Sequence, residues 1–163
     1  MIETIILATL YCIIALLPII PLGIIAWHDL KTKTIKNWQL LLFGAAALPY
    51  AIYHWVEVTN YIIPASLFAV IVYAILLALC KTKKLPAGDA LLLLPFPLMF
   101  DPITCLYFLA IALIAHTIVS LILRKKETGA HAFAPSVFVA YICITVPVFL
   151  LIPDIIMALI AVL

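Results

Sequence analysis

Charge is scarce in this chain: only 10% of its 163 residues are Asp, Glu, Lys or Arg, while 69% are hydrophobic. A soluble domain is about 25% charged and about 45 to 50% apolar, and a small one leaves much of its surface in water. The balance excludes an ordinary soluble fold and makes lipid the natural solvent. CxxC pairs are absent too. Cys12, Cys80, Cys105 and Cys143 are scattered, mostly inside apolar runs, which gives no sign of a zinc ribbon or thioredoxin-like centre and suits cysteine as a small buried hydrophobe. No Lys or Arg precedes the apolar run that begins at Ile5. A cleavable signal peptide wants a basic lead, so this run reads as a retained helix.

Apolar residues fill six segments, 4–27, 38–55, 61–80, 89–100, 102–123 and 133–151, with an apolar tail to Leu163. Five approach the roughly 17 to 25 residues that cross a bilayer. The fourth rises only about 18 Å as a helix, against a hydrocarbon core of about 30 Å, and Pro95 and Pro97 interrupt it. Lipid tolerates such a break only where protein or water satisfies the freed backbone groups, so the other segments should surround it. Pro147 and Pro153 leave two readings of the end: a stop near Leu151, or one kinked helix running on.

The nine basic residues then fall into three groups: Lys31, Lys33 and Lys36 after the first segment, Lys81, Lys83 and Lys84 after the third, and Arg124, Lys125 and Lys126 after the fifth. With six spans all nine share one face, which the positive-inside rule makes cytoplasmic. The opposite loops carry Glu57 and Asp101 and no base. The fold expected is therefore an all-α polytopic membrane protein with six transmembrane helices and both termini extracytoplasmic. A net charge of +2 held in juxtamembrane clusters argues against nucleic acid and for anionic lipid headgroups as the partners of the lysines.

Two acids stand out at the cytoplasmic boundary. Asp29 ends the first segment in Trp27-His28-Asp29-Leu30, and Asp89 starts the fourth in Pro86-Ala87-Gly88-Asp89. Two adjacent carboxylates share a proton because both cannot easily ionise. The charged one can activate water while its protonated partner polarises a carbonyl, as in aspartic proteases. Asp89 at or near an N-cap would gain from the helix dipole, whereas Asp29 at a helix C-terminus would not, so the shared proton is expected more often on Asp29. Each acid also has a plain structural reading, one as a cap and the other as an interfacial charge.

Three stretches resemble the type IV prepilin and preflagellin peptidases, a family of intramembrane aspartic proteases of the GxGD type. Asp29 to Asn37, DLKTKTIKN, is similar to that family's Asp, basic loop and Ile-Pro-Asn. Pro86 to Leu92, PAGDALL, is similar to its Gly-x-Gly-Asp, and Ala132 to Ser136, AFAPS, to its Pro-Phe-Gly/Ala-Pro. Lys36, Pro86 and Ala132 depart from the pattern. The resemblance implies a single transmembrane peptidase domain over 1–163 in the cell membrane, with Asp29 and Asp89 catalytic at the cytoplasmic face. Gly88, Asn37, Phe133 and Pro135 would support them, Asn37 by capping the second helix. It implies an archaeal enzyme that removes the short basic leader, a class III signal peptide, from archaellin or type IV pilin-like precursors. No cofactor or metal is implied. The bacterial members' cysteine loop is missing, and methyltransferase activity is not expected.

His28 and His131 near the two acids could in principle complete a metal site, but no HExxH or other zinc spacing is present. The competing function is a small proton-coupled membrane transporter using Asp29, Asp89 and the deeper His116, since intramembrane ionisable groups usually face protein or water.

Overall fold

The computed structural model describes residues 9–11, 13–57, 62–123 and 132–161. Among them the secondary structure is helical, without strands: α1 (Ile19–Thr32), α2 (Asn37–Glu57), α3 (Ile62–Lys81), α4 (Ala87–Leu93), α5 (Phe96–Met99), α6 (Pro102–Leu123) and α7 (Ala134–Ala161). Helix from Thr9 leads into α1 through a turn at Leu17 and Pro18. Thr9–Thr32 and Pro102–Leu121 are long and apolar enough to cross a membrane. Their exteriors suit lipid, with Ile20, Ile103 and Leu113 exposed, and Leu41 of α2 and Leu77 of α3 are exposed likewise. The third basic group, Cys12, Glu127 and His131 lie outside the described residues.

The first helix runs on to Thr32, five residues past Trp27, so Asp29 lies inside its last turns. Lys33 ends it in the left-handed conformation, φ 53°, donating its N–H to the Asp29 carbonyl at 2.8 Å. That is the usual device for satisfying a terminal carbonyl, here without glycine. At the other end of the chain, α7 continues through Pro147 and Pro153 to Ala161. The stop near Leu151 is therefore not the one adopted.

The expected fourth segment is two helices, α4 and α5, broken at Leu94 and Pro95. Proline has no N–H to give and crowds the preceding turn, so carbonyls are released there. Tyr73 of α3 donates its hydroxyl to the Leu94 carbonyl at 2.9 Å, and Trp55 of α2 its indole N–H to Leu98 at 3.0 Å. The pair is enclosed, with Leu92, Phe96 and Met99 fully buried. Phe96 stacks on Phe108 of α6 at 4.1 Å between ring centres and lies 5.5 Å from Phe43 of α2 and 6.0 Å from Tyr141 of α7. This aromatic centre joins four helices. Offset contacts of this kind add about 0.5 to 1.5 kcal/mol each beyond burial.

Helix α7 packs most extensively on α1 and α6. Its Tyr141 donates to the Ala15 carbonyl at 2.8 Å, just ahead of the turn at Pro18 where the first helix cannot satisfy itself. That bond and the small residues Ala134, Val137 and Ala140 along the buried face seat α7 against α1. The seating sets the register on which the site depends.

Candidate active site

Asp29 is buried, only 3% exposed. Its Oδ2 accepts the backbone N–H of Ala134, the first residue of α7, at 2.9 Å. The first N–H groups of any helix lack partners within it, and the dipole there favours negative charge. A carboxylate from α1 thus fills the open N-terminus of α7. An N–H aimed at a carboxylate stabilises the charged form.

Asp89 sits in the first turn of α4, ahead of its apolar run and half-buried. The cap position belongs to Pro86, which makes no side-chain cap bond, so Asp89 is the third residue of the helix and not its N-cap. Burial first, then the Asp29 charge, pushes the Asp89 carboxyl up to about 6. The second cause is a like charge near enough to act on Asp89. Burial without a compensating donor and a like charge nearby both favour the neutral acid. Asp89 thus has the surroundings that favour its neutral form, while the amide at the start of α7 is given to Asp29.

Gly88 is helical, and no glycine among the described residues has positive φ. A Cβ there would meet the Ile35 side chain at 3.6 Å, an ordinary contact. What Gly88 contributes is packing of α4 against the loop that follows Asp29. Pro86, at φ −58° and ψ 143°, adopts the angles proline prefers, so the departure from glycine is accommodated without strain. Asn37 is exposed and opens α2 as its first residue. The capping bond is made instead by Gln39, whose Oε1 accepts the Lys36 N–H at 2.9 Å, half of a capping box.

Phe133 and Ala132 are extended and buried before α7, and Phe133 meets the His116 ring edge-on at 5.2 Å. Pro135 is the second residue of α7, where a missing N–H costs nothing. His28 is engaged locally: its Nδ1 lies 3.0 Å from both the Thr34 carbonyl and Thr32 Oγ1, bracing the turn after Asp29.

An apolar groove of about 440 Å³ runs between α3 and α6. Leu85 and Phe133 line it, one just before α4 and Asp89, the other adjoining the residue that holds Asp29. Ile71, Leu106 and Leu113 carry it along the bundle. A smaller cavity of about 170 Å³ occupies the opposite end, where Tyr11, Tyr50, His54, Asp101 and Thr145 bring polar groups into a mostly apolar lining. There Tyr11 and Tyr50 share a hydrogen bond at 2.9 Å, and Asp101 caps α6 by accepting the Ile103 and Thr104 N–H groups at 3.0 and 3.1 Å.

The family model of the type IV leader peptidases matches residues 15–121, about two thirds of the chain and inclusive of both aspartates. The chain belongs to that family. No curated protein and no solved structure matches it. Membership of the leader peptidases makes the chain a protease, and the two long apolar helices agree with a membrane enzyme. The matched stretch ends before α7, so the amide that holds Asp29 comes from beyond it.

Sequence reasoning passed over three features of this leader peptidase: Gln39, Ala134 and the Tyr11–Tyr50 pair. Gln39 heads an apolar stripe, Gln39, Phe43, Ala47 and Tyr50, spaced for one helix face; a polar residue there was the available signal. The Ala134 contact left none, because it uses backbone and not side chain.

Proposed function

We propose that the protein is an intramembrane aspartic endopeptidase that cuts the short basic leader from archaellin or type IV pilin-like precursors at the cytoplasmic face of the membrane. The observation that supports the reading is the environment of the two acids: Asp29 buried on the N-terminal amide of α7, and Asp89 half-buried in the first turn of α4, its neutral form favoured by burial and by the Asp29 charge. Family membership supplies the protease and the precursor class.

In this reading the Asp29 carboxylate takes a proton from water, and the water oxygen adds to the scissile carbonyl carbon. Asp89 gives its proton to the carbonyl oxygen. As the tetrahedral diol collapses, the C–N bond breaks, the proton held on Asp29 passes to the departing amine, and one diol hydroxyl returns its proton to Asp89 as it becomes the new carbonyl. Asp29 is then again a carboxylate and Asp89 again neutral. The scheme uses two carboxyl groups in opposite protonation states, the condition their surroundings favour.

The groove between α3 and α6 offers the precursor's apolar helix a berth that ends at Leu85 and Phe133, four residues ahead of Asp89 and one ahead of the Ala134 that holds Asp29. The exposed Lys31, Lys33, Lys36, Lys81, Lys83 and Lys84 do not attract a basic leader and instead meet anionic headgroups. Six spans, with both termini outside, bring these groups and the dyad to the cytoplasmic side.

Incubation of the purified protein with a leader-bearing precursor tests this directly. Mass spectrometry should find one cut between leader and apolar helix, with the same yield in a metal chelator. A cut elsewhere, or none in a detergent that preserves the fold, contradicts the proposal.

A further inference from the structure

Gln39 is 1% exposed, and its two amide atoms have different fates. Oε1 accepts the Lys36 N–H at 2.9 Å, while Nε2 is buried with no hydrogen-bond partner. The orientation of the amide is settled by that neighbour, since the reverse placement would set N–H₂ against N–H. A buried donor left open is unfavourable, and natural proteins keep few of them.

Where the donor sits follows from the packing of α2 beside α4, which start at the same end of the bundle. A Cβ at Gly88 would meet Ile35 at 3.6 Å, and the Phe43 and Phe96 rings lie tilted with centres 5.5 Å apart. Gln39 is midway between Ile35 and Phe43, and Leu92 midway between Gly88 and Phe96. That spacing sets Gln39 near the level of Leu92, which is three residues, about one helical turn, from Asp89. On the buried face of α2, with Phe43 and Ala47, it is the polar residue of the first turn.

A protease that cuts next to an apolar helix must hold the scissile segment extended, and the carbonyls released from that helix need donors in a site with little water. We propose that Gln39 binds substrate, its side-chain amide donating to a backbone carbonyl of the precursor segment held against Asp29 and Asp89. The proposal rests on the reading of those two residues as the catalytic pair. Lys36, by fixing Oε1, aims the donor before substrate arrives. Such recognition of main chain suits an enzyme whose precursors differ in side chains.

Two substitutions separate binding from capping. Gln39→Glu keeps an oxygen for the Lys36 N–H and, when ionised, removes the donor; Gln39→Met removes both and introduces no charge. With a leader-bearing precursor peptide, both variants should raise KM about three- to tenfold with kcat changed less, the pattern of a lost binding contact. Thermal unfolding should separate them, Gln39→Glu matching the parent and Gln39→Met melting lower. A KM at the parent value in Gln39→Glu overturns the proposal, whether or not Gln39→Met is folded. Asp29→Asn and Asp89→Asn are run alongside: activity retained in either removes the dyad reading, whereas loss in both with KM unmoved at position 39 removes only the role of Gln39.

Discussion

The Asp29 carboxylate and the Ala134 N–H meet at 2.9 Å across 105 residues of sequence. This bond ties the end of α1 to the start of α7 and sets the orientation of an acid that would otherwise meet the unfavourable end of its own helix dipole.

Ala134→Pro deletes that N–H at a position, the first of a helix, where proline is tolerated. A hydrogen bond to a charged group is worth about 1.5 to 3 kcal/mol, so kcat/KM for precursor cleavage should fall by at least about tenfold while circular dichroism still reports the helices. Unchanged cleavage would mean that the contact does not orient the reacting carboxylate.

The pH dependence follows from Asp89. Its carboxyl is raised to about 6, by burial first and the Asp29 charge second, so its neutral form is favoured in the fold. That contribution to stability is complete below the usual carboxylate range and is lost as pH rises through about 6. The same titration removes the proposed proton donor. Cleavage should therefore decline from about pH 6 upward, and Asp89→Asn should abolish the matching change in unfolding temperature. A stability profile that is flat there in the parent contradicts the assignment.

The groove makes a separate prediction. Ile71 and Leu106 are exposed and line it away from the acids, so Trp at either position fills it with little cost to the core. Leu106→Trp should raise KM for a full precursor severalfold, yet leave cleavage of a short leader peptide lacking the apolar helix unchanged. Equal effects on both substrates would place the helix elsewhere.

At the far end, Asp101 caps α6, and although burial works against its charge, bonds from the Thr104 side chain, the Thr104 and Ile103 amides and nearby His54 hold its carboxyl below the usual range. Asp101→Ala should lower stability by about 0.5 to 2 kcal/mol, measured by denaturant unfolding, without altering kcat of the folded enzyme. A depressed carboxyl stabilises above its unfolded titration and loses that effect as pH falls through its folded one. Acid should thus destabilise the parent more than Asp101→Ala.

Much of this was legible in the residues. Scarce charge pointed to lipid, the prolines at 95 and 97 marked the broken segment, and its burial followed from the cost of bare backbone in hydrocarbon. Asp29 and Asp89 stood out because acids at helix ends beside basic loops are few here. What could not be read was set by tertiary contact. Asp29 gained a second helix's N-terminus from α7, and burial with the Asp29 charge favours the neutral form of Asp89. Asn37 looked like the cap by residue type, yet the helix began there and Gln39 closed it from one turn within.

The account turns on two acids acting together. Its most direct test is single-turnover cleavage of a leader-bearing precursor by Asp29→Asn and Asp89→Asn, each checked for folding and each assayed with and without chelator. Loss of about a hundredfold or more in both variants, the scale of general acid and base catalysis, and indifference of the parent to the chelator are the predicted results. Cleavage near the parent rate in either folded variant would contradict the account.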